Sequence, residues 1–192
     1  MTGDGNPRTA VGRPGPGSSK LIVVRGNSGS GKSAIASGLR ETYGRGIAIV
    51  GQDNLRRVVL RDRDVPGAPN IGLIGMTARY AIEHGFHVVL EGILRSDRYT
   101  RMLMDLRADH AGQSFFYYLD VPFSETLERH ATKPNAGDFG EAEMATWYTP
   151  HDLLPGGLET VITQESSLAD SIRRIAEESG LLTDPVAAHA NL

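Results

Sequence analysis

The sequence has no cysteine among its 192 residues, which excludes disulfide bonds, thiolate zinc sites and a cysteine nucleophile. It also has no apolar run near the ~18 residues that a membrane span needs. The N-terminus lacks the apolar core of a signal peptide. We therefore expect a protein of the cytoplasm without a membrane attachment.

Lysine is scarce, with only Lys20, Lys32 and Lys133, and every other basic residue is an arginine. The formal net charge of −3 lacks the excess of positive charge that is typical of general nucleic-acid binders, and it argues against nucleic acid as a partner. Hydrophobic residues make up 40% of the chain, which is ordinary for a globular protein. Gly, Pro and Ser dominate residues 1–19, so we predict a disordered tail there, one domain over residues 20–182 and a C-terminal tail over 183–192.

One segment of the domain fits G-x-x-x-x-G-K-[ST], the phosphate-binding loop of P-loop nucleotidases. Its residues are Gly26, Asn27, Ser28, Gly29, Ser30, Gly31, Lys32 and Ser33. An apolar strand-like run over 21–24 precedes it and a helical pattern over 34–40 follows, which is the context that the motif requires. We expect the loop to hold ATP, with Lys32 on the β- and γ-phosphates and Ser33 as a ligand of Mg²⁺.

Strand-like and helical segments alternate along the rest of the chain. We predict strands over 21–25, 47–50, 87–91, 114–120 and 158–163, with helices between them. A closing helix over 167–179 has its apolar residues on one face and Gly180 behind it; those residues are Leu168, Ile172, Ile175 and Ala176. The alternation predicts an α/β fold with a parallel sheet covered on both faces, whose ligands bind at the carboxyl ends of the strands.

Two acidic residues lie at those strand ends. Asp53 follows the second strand, where it could accept the proton of an attacking hydroxyl, contact Mg²⁺ through water or cap the helix that begins near Asn54. Glu91 ends the third strand, where it could hold a Mg²⁺-bound water, orient Asp53, bind substrate or cap the next helix. We assign Asp53 as the catalytic base and Glu91, together with Ser33, to the metal site.

Basic residues flank these positions. Four arginines follow Asp53 and are typical of the solvated face of a helix; they are Arg56, Arg57, Arg61 and Arg63. Arg56 and Arg57 are the closest to the site, and either could clamp an anionic substrate or support Asp53. A polar insertion over about 130–148 is typical of a lid. Arg129 and Lys133 lie four residues apart beside it, and we expect them to contact the nucleotide phosphates and neutralise charge in the transition state.

The chain resembles the small P-loop kinases of the zeta-toxin and chloramphenicol phosphotransferase type, which are bacterial AAA-type small-molecule kinases. The matching pieces are residues 26–33, Gly51–Leu55, Val89–Gly92 and Arg129. The resemblance implies a P-loop NTPase fold with five parallel strands in the order 2-3-1-4-5. It also implies transfer of the ATP γ-phosphoryl group to a hydroxyl, with Asp53 as the catalytic aspartate and Lys32 and Arg129 in supporting roles.

The chain departs from that pattern in two places. Glu91 stands where a plain Walker B aspartate is expected, and residues 65–70 match no known acceptor site. We therefore expect a Mg²⁺- and ATP-dependent kinase whose small-molecule acceptor is an antibiotic, a nucleoside or a sugar, with an antibiotic favoured by family analogy alone. The alternatives are a toxin-type kinase that phosphorylates a nucleotide-sugar and a non-catalytic nucleotide-binding switch.

Overall fold

The computed structural model describes residues 17–132, 137 and 140–183, and a parallel sheet of five strands forms its centre. The strands are β1 (Lys20–Gly26), β2 (Ile47–Gly51), β3 (His87–Gly92), β4 (Gln113–Asp120) and β5 (Thr160–Thr163). Their order in the sheet is β2-β3-β1-β4-β5, which confirms the predicted topology.

Six α-helices connect and cover these strands in the described ranges. They are α1 (Lys32–Tyr43), α2 (Pro69–Glu83), α3 (Ser96–Asp109), α4 (Phe123–Ala131), α5 (Glu141–Trp147) and α6 (Leu168–Glu178). A π-helical turn spans Asn54–Val59, and a 3₁₀ turn spans Leu181–Thr183. One core packs α1 and α6 against the sheet, and a second packs α2 and α3 against it.

The central strand β1 fixes the position of the phosphate loop. Ile22 and Val24 enter the core beneath α1, whereas Leu21 and Val23 enter the core beneath α2 and α3. Because alternate side chains point to opposite faces, a strand buried on both sides must be apolar throughout. Because β1 is the middle strand of the sheet, its carboxyl end lies at the centre of the sheet edge, and the phosphate loop begins there.

Two of the predicted features differ from the structure. Strand β5 begins at Thr160 rather than 158, because Glu159 turns its carboxylate towards Arg25 and the backbone N–H of Leu154. Leu168 was expected on the buried face of the closing helix, yet it is 50% exposed. It occupies the first position of α6 and lines a cavity beside the phosphate loop instead of packing into the core.

Several predictions concern residues at the margins of the described ranges. Ser19, assigned to the tail on composition, is buried, and its hydroxyl lies 2.9 Å from Nε2 of His110, so the packed domain includes it. Lys133, residues 1–16 and residues 184–192 lie outside the described residues, as does most of the segment between α4 and α5. Within the described ranges, no helix combines the length and apolar character needed to cross a membrane.

Candidate active site

The phosphate loop runs from Gly26, the last residue of β1, to the start of α1. Gly26 has φ of +142°, and a Cβ on it would lie 2.7 Å from the carbonyl oxygen of Leu119. Gly29 has φ of +82°, and a Cβ there would lie 2.5 Å from the carbonyl oxygen of Thr126. Both positions therefore require glycine. The positive end of the α1 dipole meets the loop, which favours binding of an anion.

Lys32 folds back onto this loop. Its ammonium donates hydrogen bonds to the carbonyl oxygen of Asn27 at 2.7 Å and to Oγ of Ser30 at 3.3 Å. The residue is only 8% exposed. The charge is thus held beside the glycine-rich backbone, where a phosphate group would need it.

Beside the loop, side chains from three strand ends meet around one small cavity. The cavity measures about 80 Å³ and is lined by Ser28, Gly29, Lys32, Ser33, Asp53, Glu91, Gly92 and Ile93. The Ser33 hydroxyl donates to Oε2 of Glu91 at 3.1 Å. This brings the predicted base and both predicted metal residues into one place.

The oxygen atoms of Ser33 and Glu91 fit a magnesium ion. Mg²⁺ takes hard oxygen ligands, usually one or two protein oxygens completed by phosphates and water. No group of three or more His, Cys, Asp or Glu residues suited to a metal occurs in the part of the chain that the structure describes.

Asp53 stands in the N-cap position of the π-helical turn but makes no capping hydrogen bond. Its Oδ1 instead accepts a hydrogen bond from Arg56 at 2.8 Å. The Asp53 side chain is 65% exposed, so the carboxylate is open to an incoming group. The absence of a side-chain cap bond argues against the helix cap among the alternatives raised by the sequence.

Arg129, on α4, reaches the opposite side of the loop. It donates to the carbonyl oxygen of Ser30 at 3.3 Å and to Oε1 of Glu125 at 2.7 Å. Arg129 also borders a second cavity of about 440 Å³, whose far wall is the loop after β5 from Thr163 to Leu168. This volume lies in the usual range for small-molecule sites, and its position at the P-loop suits the base and ribose of a nucleotide.

The sequence analysis missed Arg25, which is completely buried beside the phosphate loop. Its guanidinium donates to the carbonyl oxygen of Leu94 at 2.9 Å, to Glu159 at 2.7 Å and to Asp152 at 3.0 Å. Two of these partners belong to residues 148–159, which we call the strap because they run from α5 to β5. A charged residue within an apolar strand was the available signal.

Asn27 holds the same strap with its side chain. Its Nδ2 donates to the carbonyl oxygen of Thr149 at 2.8 Å, and its Oδ1 accepts from the N–H of Thr149 at 2.9 Å. Nearby, the hydroxyl of Tyr118 accepts from the N–H of Asp152 at 3.1 Å. Burial raises the pKa of Tyr118 to about 12. Asn27 is expected in the nucleotide site as part of the loop, and its side chain binds the strap.

A second missed residue, Tyr99, supports the segment that carries the candidate base. The Tyr99 hydroxyl accepts from Nε2 of Gln52 at 2.8 Å and from Nδ2 of Asn70 at 2.7 Å, and it donates to Oδ1 of Asp64 at 2.7 Å. Burial, and next the Asp64 carboxylate, raise the pKa of Tyr99. Gln52 and Asp64 flank residues 53–63, which we call the arc.

Comparisons with known proteins give structural matches only. No protein-family model matches the sequence, and no curated protein is significantly similar to it. Solved structures with the same fold include the Mycobacterium tuberculosis APS kinase CysC in complex with AMPPNP and APS, with a TM-score of 0.63 at 19% identity over 87% of this chain and 99% of that one.

Two further solved structures match a similar share of this chain. A gluconokinase from Sinorhizobium meliloti 1021 has a TM-score of 0.58 at 22% identity over 89% of this chain and 98% of that one. The Deinococcus radiodurans tunicamycin resistance protein has a TM-score of 0.56 at 18% identity over 85% of this chain and 96% of that one. At these identities the matches establish the fold alone: the chain has the fold of the P-loop kinases.

Proposed function

We propose that this protein is an ATP-dependent phosphotransferase that moves the γ-phosphoryl group to a hydroxyl of a small molecule. One observation carries the proposal: Lys32, Ser33, Asp53 and Glu91 line a single small cavity next to the phosphate loop. The exposed Asp53 carboxylate lies where the hydroxyl of an acceptor could approach the γ-phosphate. The kinase fold of the structural neighbours supports the same conclusion.

The reaction assigns a role to each of these residues. Asp53 accepts the proton of the acceptor hydroxyl as its oxygen forms a bond to the γ-phosphorus. The bond between the γ-phosphorus and the bridging oxygen breaks, and ADP leaves with that electron pair. Lys32 holds the β- and γ-phosphates, and Arg129 stabilises the charge that develops on the transferred group.

Magnesium belongs to the proposal as the partner of the nucleotide. When bound, it neutralises phosphate charge in the transition state. The Ser33 hydroxyl would supply a direct ligand, and Glu91 would hold it either directly or through water. Arg56 pairs with the Asp53 carboxylate at 2.8 Å and fixes its position beside the cavity.

The acceptor is the less determined half of the proposal. An antibiotic or a nucleoside is our first candidate, on analogy with the family that the sequence resembles and with the tunicamycin resistance protein. A sugar is the next, on analogy with the gluconokinase. The alternatives are a toxin-type kinase acting on a nucleotide-sugar and a switch that binds nucleotide without transfer.

Label transfer from γ-labelled ATP with Mg²⁺ tests the proposal. The panel contains antibiotics, nucleosides, sugars and nucleotide-sugars, and it is offered to the parent protein, to Lys32→Ala and to Asp53→Asn. We expect Asp53→Asn to lower transfer about 10²- to 10⁴-fold while nucleotide binding persists. Asp105→Asn, an exposed carboxylate on α3, serves as the matched control and should transfer label like the parent.

The outcomes separate the alternatives. Transfer to a nucleotide-sugar, with growth arrest on expression, would identify the toxin-type kinase. Tight nucleotide binding without transfer, unaffected by Asp53→Asn, would identify the switch. Absence of nucleotide binding by the parent protein would refute the proposal altogether.

A further inference from the structure

The arc begins at Asp53 and continues as a π-helical turn over Asn54–Val59, of which no residue is buried. The N–H of Leu60 donates to the carbonyl oxygen of Leu55 at 3.1 Å, five residues back. In such a turn, residues four and five apart lie one above the other, so Arg57 and Val58 stand one turn from Asp53. Single π-helical turns occur frequently at functional sites.

The arc is held at both ends. Just before it, Gln52 bonds the Tyr99 hydroxyl through Nε2 and accepts the N–H of Leu94 through Oε1 at 3.0 Å. Just after it, Asp64 accepts from the same Tyr99 hydroxyl and pairs with Arg98 at 3.1 Å. Both ends of the arc are therefore anchored to the packed domain by hydrogen bonds.

Three consecutive apolar side chains on the arc face solvent. Val58 is 71% exposed, Val59 is 58% exposed and Leu60 is 39% exposed. Single exposed apolar residues are common on protein surfaces, whereas an uninterrupted run of three is unfavourable unless something covers it. The run lies within seven residues of the candidate base.

The charge of the arc is positive where it is open. Residues 53–63 contain four arginines and two aspartates; Asp53 pairs with Arg56, and Oδ1 of Asp62 accepts the backbone N–H of Arg63. Arg61 and Arg63 are exposed, and neither has an acidic partner among the residues that the structure describes. Arg61 also has φ of +51°, which a residue other than glycine adopts only infrequently.

The cavity at Asp53 is too small to enclose a whole acceptor. It measures about 80 Å³, whereas sites that enclose a whole small molecule usually exceed about 300 Å³. Larger cavities lie elsewhere, including one of about 440 Å³ beside Arg129 and one of about 450 Å³ between α2 and α3. The cavity at Asp53 has room for the hydroxyl-bearing end of an acceptor, and the arc is the exposed surface that begins at Asp53.

We propose that the arc is the docking surface for the body of the phosphoryl acceptor, and that this acceptor is an amphipathic molecule with a hydroxyl, an apolar body and an anionic group. The apolar body covers Val58 and Val59, and the anionic group pairs with Arg61 and Arg63. The inference rests on the proposed function, because it takes Asp53 as the base that the hydroxyl must reach.

The probe for this surface is 8-anilino-1-naphthalenesulfonate, which joins an apolar body to an anion, and its uncharged analogue is 1-anilinonaphthalene. Binding is measured by fluorescence on protein loaded with Mg²⁺ and a non-hydrolysable ATP analogue. We expect Val58→Ser/Val59→Ser to weaken both probes at least about fivefold. Arg61→Ser/Arg63→Ser should weaken only the sulfonate.

Met76→Ser/Tyr80→Ser is the matched control, because both side chains are exposed on α2, at 69% and 64%. It should leave both affinities unchanged. All substituted residues are on the surface, and equal thermal midpoints would show that every variant is folded. Arc variants that bind the sulfonate as tightly as the parent, or a control that loses as much affinity, would overturn the docking surface.

Kinetics connect the probe to the reaction. The sulfonate should compete with whichever acceptor the panel identifies, raising the KM for that acceptor without changing the KM for ATP. Competition with ATP instead would overturn the inference while leaving the kinase activity in place. Conversely, a protein that transfers label to nothing, yet binds the probe on the arc, would refute the proposed function without removing the surface.

Discussion

The two sides of the candidate site are built in opposite ways. On the phosphate side, Arg25, Asn27 and Lys32 are buried, and their side chains are bonded by the chain itself. On the arc, Val58 and Val59 are exposed to solvent. A phosphate group presents the same oxygens in every nucleotide, so a site for it can be assembled in advance, whereas on our proposal the arc leaves its contacts for an acceptor to complete.

Of the substitutions considered, replacing Arg25 should lower the free energy of unfolding most. Arg25→Met leaves Asp152 and Glu159 with partly and fully buried carboxylates that have lost their cation, at 12% and 1% side-chain exposure. We expect a loss of about 3–5 kcal/mol in the free energy of unfolding, measured in urea. Arg101→Met, whose side chain is 94% exposed, should change it by less than about 0.5 kcal/mol. Equal values for the two variants would contradict the contrast.

Removing the Tyr99 hydroxyl should weaken the hydrogen bonds that anchor the two ends of the arc. Tyr99→Phe leaves the amide donors of Gln52 and Asn70 without their acceptor in a buried place. We expect the free energy of unfolding to fall by about 2–3 kcal/mol. Transfer to the acceptor should fall more than nucleotide binding, because Gln52 precedes Asp53.

The control for Tyr99→Phe is Tyr80→Phe, since Tyr80 is 64% exposed. Its unfolding free energy and its acceptor kinetics should match those of the parent. If Tyr99→Phe lost stability but kept a normal ratio of transfer to nucleotide binding, Tyr99 would be a core residue without a part in positioning Asp53.

Asn27 links the phosphate loop to the strap with two hydrogen bonds. Asn27→Ala removes both bonds to Thr149, and we expect a loss of about 1–2 kcal/mol in unfolding free energy. Ser28→Ala, in the next position of the loop, should cost less than about 0.5 kcal/mol. Hydrogen exchange at the N–H of Thr149 should quicken in Asn27→Ala only; unchanged exchange would show that the bonds contribute little.

The smallest effect on stability is expected on the arc itself. Val58→Ser/Val59→Ser removes apolar surface that is already in water, so the free energy of unfolding should change by less than about 0.5 kcal/mol. The thermal midpoint and the urea midpoint measure it. A loss above about 2 kcal/mol would mean that the arc packs on the domain in solution, and the contrast between the two sides would disappear.

Much of the fold follows from local pattern. The five strands, the phosphate loop and the helix behind it are expected from apolar runs and from one motif, whereas the strand order was implied only by the resemblance to a known family. The structure differs from the expected strand and helix pattern where a side chain makes a contact outside its own element. Glu159 shortened β5 by joining Arg25, and Leu168 left the core for the cavity beside the loop.

Part of the site was also within reach of the sequence. Asp53 follows β2 and Glu91 lies at the end of β3, and a parallel sheet brings strand ends to one edge, so their meeting with Lys32 and Ser33 was predictable. The role of Asn27 was not, because its position in the motif indicates a nucleotide contact while its side chain binds the strap.

The sequence by itself determined the sheet, the phosphate loop and the acidic residues at the strand ends, because periodicity and a contiguous motif act over a few neighbouring residues. Only the tertiary structure decided that Arg25 bonds residues 127 and 134 positions away in the chain. It also decided that one tyrosine hydroxyl anchors both ends of the arc. Such pairings depend on how the elements pack, since no local pattern specifies which distant carboxylate or amide a buried polar group will meet.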